Sequence, residues 1–337
     1  DQGPAAGKNR LSKRVALLFK SRVALFEGTW LKYFDGTPFV PASSQWPGKS
    51  KDYNSNYQFP SGSLTGEVSF FLTEAMAAAK QVADAVALTE NTGVFQADPS
   101  WAANPYFNMF GAENMAGYSE VLLWKQYSRA LGATNNVGCY ATKGNNGVGI
   151  TRSMVNAFIM KDGKPIYASP LWVDENSSYW GDNNITHITK NRDSRADIFI
   201  KKPGQRNLHT PPGSHGVEWE WGPNITATSG EDKYTTGYAI RKGLNFDGKN
   251  TDFTQSIIAS LVFRASEAYL NYIEACYEKN GSLDASADQY WKAIRNRAKI
   301  NPDYQYTISL TNMAEEGKTD WGAYSAGSLV DATLFNI

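Results

Sequence analysis

Helical periodicity constrains this chain most, both where it holds and where it stops. Residues 11–34 place Leu11, Val15, Leu18, Phe19, Arg22, Phe26, Trp30 and Tyr33 at a three/four spacing. That is the repeat of an amphipathic helix. Asp35-Gly36 stops it, and Pro38 and Pro41 keep it from resuming. A second helix is expected at about 64–89, with Val68, Phe71, Leu72, Ala75, Ala78, Ala79 and Val82 on its apolar face. The alanines suit close packing against another helix. A third stripe joins Ile257, Ile258, Leu261, Val262, Ala265, Ala268, Tyr269, Tyr272, Ile273 and Cys276 into one predicted helix, with Gly281 as its C-terminal cap. Asp284 or Ser286 starts the next, which turns Ala287, Tyr290, Trp291, Ile294 and Ala298 inward and ends by Pro302. Two helices joined by so short a turn form an αα-hairpin. This is the unit of tetratricopeptide-like solenoids, although no clean 34-residue repeat accompanies it. The helix-face rings Trp30, Tyr33, Tyr269, Tyr272 and Trp291 are assigned to the core.

From 90 to about 256 the helical period fades. Residues 120–131 read as a short strand or a helical piece, and 132–149, which include Cys139, as loop. Met154 to Phe158 begin an ordered piece that ends at the turn Asp162-Gly163. Asp197–Ile200 and Tyr238–Arg241 are strand-like. Residues 37–63 form a long loop with Trp46, Tyr53, Tyr57 and Phe59, either functional or packed by its own rings. The expected fold class is mainly α: helical hairpins with a large loop-rich region and few short strands.

Composition narrows the partners. Lys plus Arg is 33 and Asp plus Glu is 33. A neutral chain lacks the basic surplus that grips nucleic acid or anionic lipid. Charged residues are only 20% and aromatics 13%, a balance suited to polar, uncharged ligands. Two cysteines make no disulfide framework, and Cys276 fits a buried apolar position. No apolar run approaches the ~18 residues of a membrane span. The opening Asp1-Gln2-Gly3-Pro4 has neither the basic region nor the apolar core of a signal peptide.

Motifs for chemistry are few. His187, His209 and His215 lack the paired spacing of a zinc site, so no metal and no cofactor is expected. Gly144 to Gly149 is glycine-rich, but its order is wrong for a phosphate loop and no Lys-Ser/Thr follows. Asp247 to Asp252 reads as a turn. No G-x-S-x-G elbow occurs. In Asn191-Arg192-Asp193-Ser194-Arg195, an arginine beside an aspartate reads as a structural clamp. Arg264 and Glu267, three apart, are expected to pair on one helix, and Arg295 and Arg297 fall on the last helix.

The loop tryptophans are the functional candidates. Trp172, Tyr179 and Trp180 share a loop with Asp182 and Asn183, and Trp219 and Trp221 lie in another. A sugar offers an apolar C–H face to a ring and hydroxyls to amides and carboxylates, and these loops hold both kinds of group. The competing reading is that the rings plug the protein's own loops. If the backbone there is extended, Trp219 and Trp221 point the same way and form a small platform.

The ordered blocks resemble the SusD/RagB family of Bacteroidetes outer-membrane nutrient-binding lipoproteins. Arg22-Val23-Ala24-Leu25-Phe26-Glu27-Gly28-Thr29-Trp30 is similar to the family's A-R-x-A-L-Y-E-x-T-W helix. Met154-Val155-Asn156-Ala157-Phe158 with Asp162-Gly163, and Arg192-Asp193-Ser194-Arg195, resemble its M-V-N-x-F…D-G and R-D-x-R blocks. Thr236-Gly237-Tyr238 with Arg241-Lys242, the run Arg264 to Ala275, and Ile294 to Ala298 follow in the family's order. The resemblance implies one domain over 1–337, without the N-terminal and C-terminal parts of the full-length protein. It implies a lipid-anchored protein at the outer-membrane surface, capping a SusC-like TonB-dependent transporter. It implies capture of an oligo- or polysaccharide without catalysis, with the lipid anchor lying outside this chain. The matching blocks are mainly scaffold, so Trp172, Tyr179, Trp180, Asp182, Asn183, Trp219 and Trp221 are the expected ligand contacts. The alternatives are a glycoside hydrolase, or a transporter-capping scaffold that binds a peptide or another nutrient.

Overall fold

The computed structural model describes residues 7–143, 148–206, 218–219, 234–318 and 331–337. In chain order the helices are α1 (Lys13–Tyr33), α2 (Leu64–Ala83), α3 (Pro105–Gly111), α4 (Val137–Lys143), α5 (Arg152–Ala157), α6 (Ile185–Thr189) and α7 (Ser194–Phe199). After them come α8 (Ser266–Asn280), α9 (Ala285–Ala298), α10 (Tyr304–Leu310), α11 (Met313–Glu316) and α12 (Ala332–Asn336). The strands are short: β1 (Val121–Lys125), β2 (Gln205–Arg206), β3 (Glu218–Trp219) and β4 (Ser260–Arg264). β1 pairs antiparallel with β4, and β2 with β3.

Local chemistry sets most helix starts. Ser12, Ser63, Asn104, Thr151, Asn184, Asp193 and Asp284 each accept a backbone N–H of the first turn that follows. Each satisfies a donor that has no partner within the helix. Gly281, at φ +65°, caps α8, so the predicted αα-hairpin forms between α8 and α9.

α1, α2, α8 and α9 pack into one helical layer. Its core gathers Val15, Leu18, Ala79, Val82, Ile273 and Trp291, with Tyr269 and Tyr272 also buried. α1 turns a different face inward from the expected one. Val15, Leu18, Ala24, Leu25, Gly28 and Leu31 are buried, whereas Phe26 and Tyr33 are exposed. The reason is close approach to α2, whose Leu72 and Ala75 pack against Ala24, Leu25 and Gly28, where a large ring would not fit. The displaced rings stack outside, Phe26 on Trp30 at 5.7 Å and Trp30 on Phe34 at 4.3 Å. Trp30 and Tyr33 therefore do not belong to the core.

Three further expectations change. The stripe from Ile257 is not one helix: Ser260–Arg264 is extended and pairs with β1, and the helix begins at Ser266. Leu261-Val262-Phe263 has the β-branched and aromatic character that a ladder favours. Asp197–Ile200 is mostly helical, because Asp193 caps α7, and only Ile200 makes an extended bridge, to Ile240. Cys139 lies buried in α4 rather than in a loop.

The middle of the chain is held by buried arginines as much as by apolar packing. Arg192, 4% exposed, donates to the carbonyls of Phe158 (2.7 Å) and Ile188 (3.1 Å) and to that of Val155. It ties α5 and α6 to the small core of Val155, Phe158, Ile188, Ala196 and Ile200. The clamp expected at Asp193 and Arg195 forms, with Arg195 Nε 3.0 Å from both carboxylate oxygens. Arg264 and Glu267 do not pair. Arg264 turns to Glu120 at 3.3 Å, and Glu267 takes Arg22 of α1 at 2.5 Å. The strand-to-helix change at Ala265 sends the two side chains apart.

Candidate functional site

The loop of residues 170–184 folds on itself. Trp172 N–H donates to Tyr179 O at 3.0 Å, and Tyr179 N–H to Pro170 O at 3.1 Å. Asp174 accepts from the backbone of Asn176 (2.7 Å) and Ser177 (3.0 Å), while Ser178 Oγ accepts from Val173 (2.8 Å) and Asp174 (2.6 Å). The Ser177 hydroxyl, with these amides, holds the Asp174 carboxyl below its ordinary range. Trp172 sits at φ +48°, a left-handed conformation rare outside glycine. Gly181, at φ +88°, then turns the chain into the Asn184 cap of α6.

This backbone brings together rings that the sequence places eight and seven residues apart. Trp172 and Trp180 lie 4.6 Å apart at 31°. His187, on α6, meets both, at 5.9 Å and 5.7 Å. Its Nδ1 is 2.6 Å from Asn183 Oδ1, which fixes the imidazole against the indoles. Lys190 Nζ stands 3.3 Å over the Trp180 ring. Trp180 is thus enclosed by three neighbours, and its buried Nε1 has no partner among the described residues. Trp172 is 58% exposed, and Leu171 and Val173 beside it are also exposed.

Tyr179 and Asp182 form a brace beside the rings. The Tyr179 hydroxyl donates to Asp182, and Arg152 of α5 pairs with the same carboxylate. Arg152 also donates to Tyr238 at 2.6 Å. Burial opposes the Arg152 charge, but its bonds to Asp182 and Tyr238 outweigh that and raise its pKa. The brace fastens the loop to the small core of Val155, Phe158 and Ile188, to which Tyr238 belongs.

Of the expected contacts, Trp172, Trp180 and Asn183 converge, and Tyr179 and Asp182 sit next to them in the brace. Trp219 is in β3, where its backbone faces Gln205. Trp221 lies outside the described residues. His187 and Lys190 belong to the site, although the sequence reading tested His187 only as a zinc ligand. The Asn183–His187 spacing of four, across a helix start at Asn184, was the signal that places them together.

The arrangement offers an apolar ring face in contact with water, rimmed by amide, imidazole and ammonium groups. It suits stacking and hydrogen bonding to a flat, polyhydroxylated ligand. Among the described residues no group of three or more His, Cys, Asp or Glu is placed to hold a metal. Nor is any described helix long and apolar enough to cross a membrane.

Comparison with known proteins follows the fold. A SusD-like protein from Bacteroides fragilis matches with a TM-score of 0.54 at 16% identity, over 100% of this chain and 55% of its own. A crystal structure with a xylogluco-oligosaccharide matches with a TM-score of 0.50 at 16% identity, over 88% of this chain and 46% of its own. The chain therefore spans about half the length of these structures, and at this identity the likeness is one of fold. No curated protein matches. The SusD family pattern matches residues 114–318, more than half of the chain. With its helical layer, short strands and buried-arginine middle segment, the chain belongs to the SusD family.

Proposed function

We propose that this chain is the glycan-binding part of a non-catalytic capture protein at the outer-membrane surface, held there by a lipid anchor. It takes an oligo- or polysaccharide and hands it to a SusC-like TonB-dependent transporter. The observation that carries this reading is the Trp172 ring, more than half exposed yet fixed against Trp180 and His187 by a folded loop. An exposed indole held rigidly on one face loses little entropy when a sugar covers the other. Asn183, held to His187, offers its amide for hydroxyl groups, with Tyr179 and Asp182 next to it. Trp219 and Trp221 are proposed as further contacts. Membership of the SusD family supports the reading, as does the xylogluco-oligosaccharide in a structure of shared fold.

The test is affinity electrophoresis of the protein and its Trp172→Ala variant in gels carrying neutral polysaccharides, xyloglucan among them. The expected result is retardation of the parent in at least one gel and its loss in the variant. Equal mobility of the two in every gel overturns the placement of the site. Release of reducing ends by the purified protein overturns the non-catalytic assignment.

A further inference from the structure

The helical hairpin and the middle segment meet at a cavity of about 970 Å³. Five arginines line it: Arg152, which is paired with Asp182, Arg195 after the Asp193 turn, Arg264 at the end of β4, and Arg295 and Arg297 on α9. Among the described residues the last four have two carboxylates between them. Asp193 is taken by Arg195. Glu120, fully buried, is shared by Arg297 at 2.7 Å and Arg264 at 3.3 Å. Arg295, 5% exposed, donates among the described residues to neutral acceptors, Asn301 O and Thr307 Oγ1, both at 2.7 Å. The carboxylates across the cavity are engaged as well: Glu315 pairs with Lys318, and Glu316 accepts from Tyr167. A cluster of like charges drawn this far from water is costly unless anions complete it.

Nearby Lys242 registers the same imbalance. Withdrawal from water, and then the charges of Arg264, Arg195 and Arg297, push its ammonium down to about 8.

We propose that this cavity docks an acidic polypeptide segment, one whose carboxylates reach Arg264 and Arg295 while its apolar side chains cover the walls. The walls favour a polypeptide over a sugar: Leu270, Ile294 and Leu334 line them beside the rings of Tyr167, Trp291 and Phe335, and the Tyr167 hydroxyl is taken by Glu316. Trp291 is buried and already stacked on Tyr304 at 4.2 Å. The inference stands apart from the glycan reading, since no ring of the Trp172 platform lines the cavity and only Arg152 of the brace touches both.

Fluorescence anisotropy with labelled probes tests it on the whole chain. The probes are a twelve-residue peptide alternating leucine and glutamate, its leucine–glutamine counterpart, and tetragalacturonate. The glutamate peptide is expected to bind at least about tenfold tighter than the glutamine peptide, as charge-assisted bonds to guanidinium outweigh neutral ones. Arg264→Gln should erase that preference, with Glu120 still paired to Arg297. Leu334→Glu, placed on the wall by the terminal helix, should weaken the glutamate peptide by repulsion, and circular dichroism confirms that both variants fold. Equal binding of the two peptides, or no binding of either, overturns the proposal. So does a preference for tetragalacturonate, which would make the cavity a site for acidic sugar.

Discussion

Gly28 on α1 lies so close to Leu72 on α2 that a Cβ built there would stand 2.9 Å from both Leu72 Cγ and Cδ2. Leu72 is fully buried and has no room to retreat. Glycine in a helix interior costs about 1 kcal/mol relative to alanine, and here the cost is offset by close packing of the two helices. Gly28→Val is expected to destabilise the protein by about 1–3 kcal/mol, the usual range for an overpacked core. Gly28→Ala should lose less, because regained helix propensity opposes the clash. Urea midpoints of the two variants check the order.

Glu120 holds two arginines and also accepts the Thr89 backbone N–H at 2.7 Å, joining the start of β1 to α9 and to the chain after α2. Glu120→Ala leaves Arg297 buried without a carboxylate. A loss of about 3–5 kcal/mol is expected, as for breaking a buried pair from one side. Arg22→Ala, which breaks the more exposed pair with Glu267, should cost no more than about 1 kcal/mol. Chemical denaturation of both variants measures the contrast.

Trp172 and Trp180 should separate stability from binding. Trp172 is exposed, so Trp172→Ala should leave the thermal midpoint within about a degree while abolishing glycan retention. Trp180 packs against Trp172, His187 and Lys190, so Trp180→Ala should lower the midpoint and weaken retention together. Differential scanning fluorimetry alongside affinity electrophoresis reads both.

Lys242 carries a pH prediction. Its folded-state pKa of about 8 lies below the ordinary 10.5, so the unfolded chain binds more protons between those values. Its charged form burdens the fold below pH 8, and the burden is relieved as pH rises from 8 to 10.5. Lys242→Gln should therefore be at least as stable as the parent at pH 7, with the difference shrinking toward pH 10.5. Urea midpoints at pH 7, 8.5 and 10 follow it.

The local rules were legible in the sequence. Asp284 caps α9 and Gly281 ends α8, because each satisfies backbone groups within a turn of itself. The αα-hairpin and the clamp at Asp193 and Arg195 follow from the same short reach. The Trp172, Trp180 and Asn183 cluster was legible only as composition: rings and amides in one loop.

What the sequence by itself determined is the two long helices α1 and α2, the αα-hairpin with its caps and which loops carry surplus rings, since these depend on neighbours within a few residues. Tertiary structure decided the rest. It chose the face of α1 that goes inward, because Gly28 and Ala24 matter only when α2 is already alongside. It made Ser260–Arg264 a strand, because the ladder partner Val121–Lys125 lies more than a hundred residues away. It sent Arg264 to Glu120 and Glu267 to Arg22, and it set His187 against the two indoles. Each of those choices is an interaction between residues far apart in the chain, and periodicity along the chain carries no record of them.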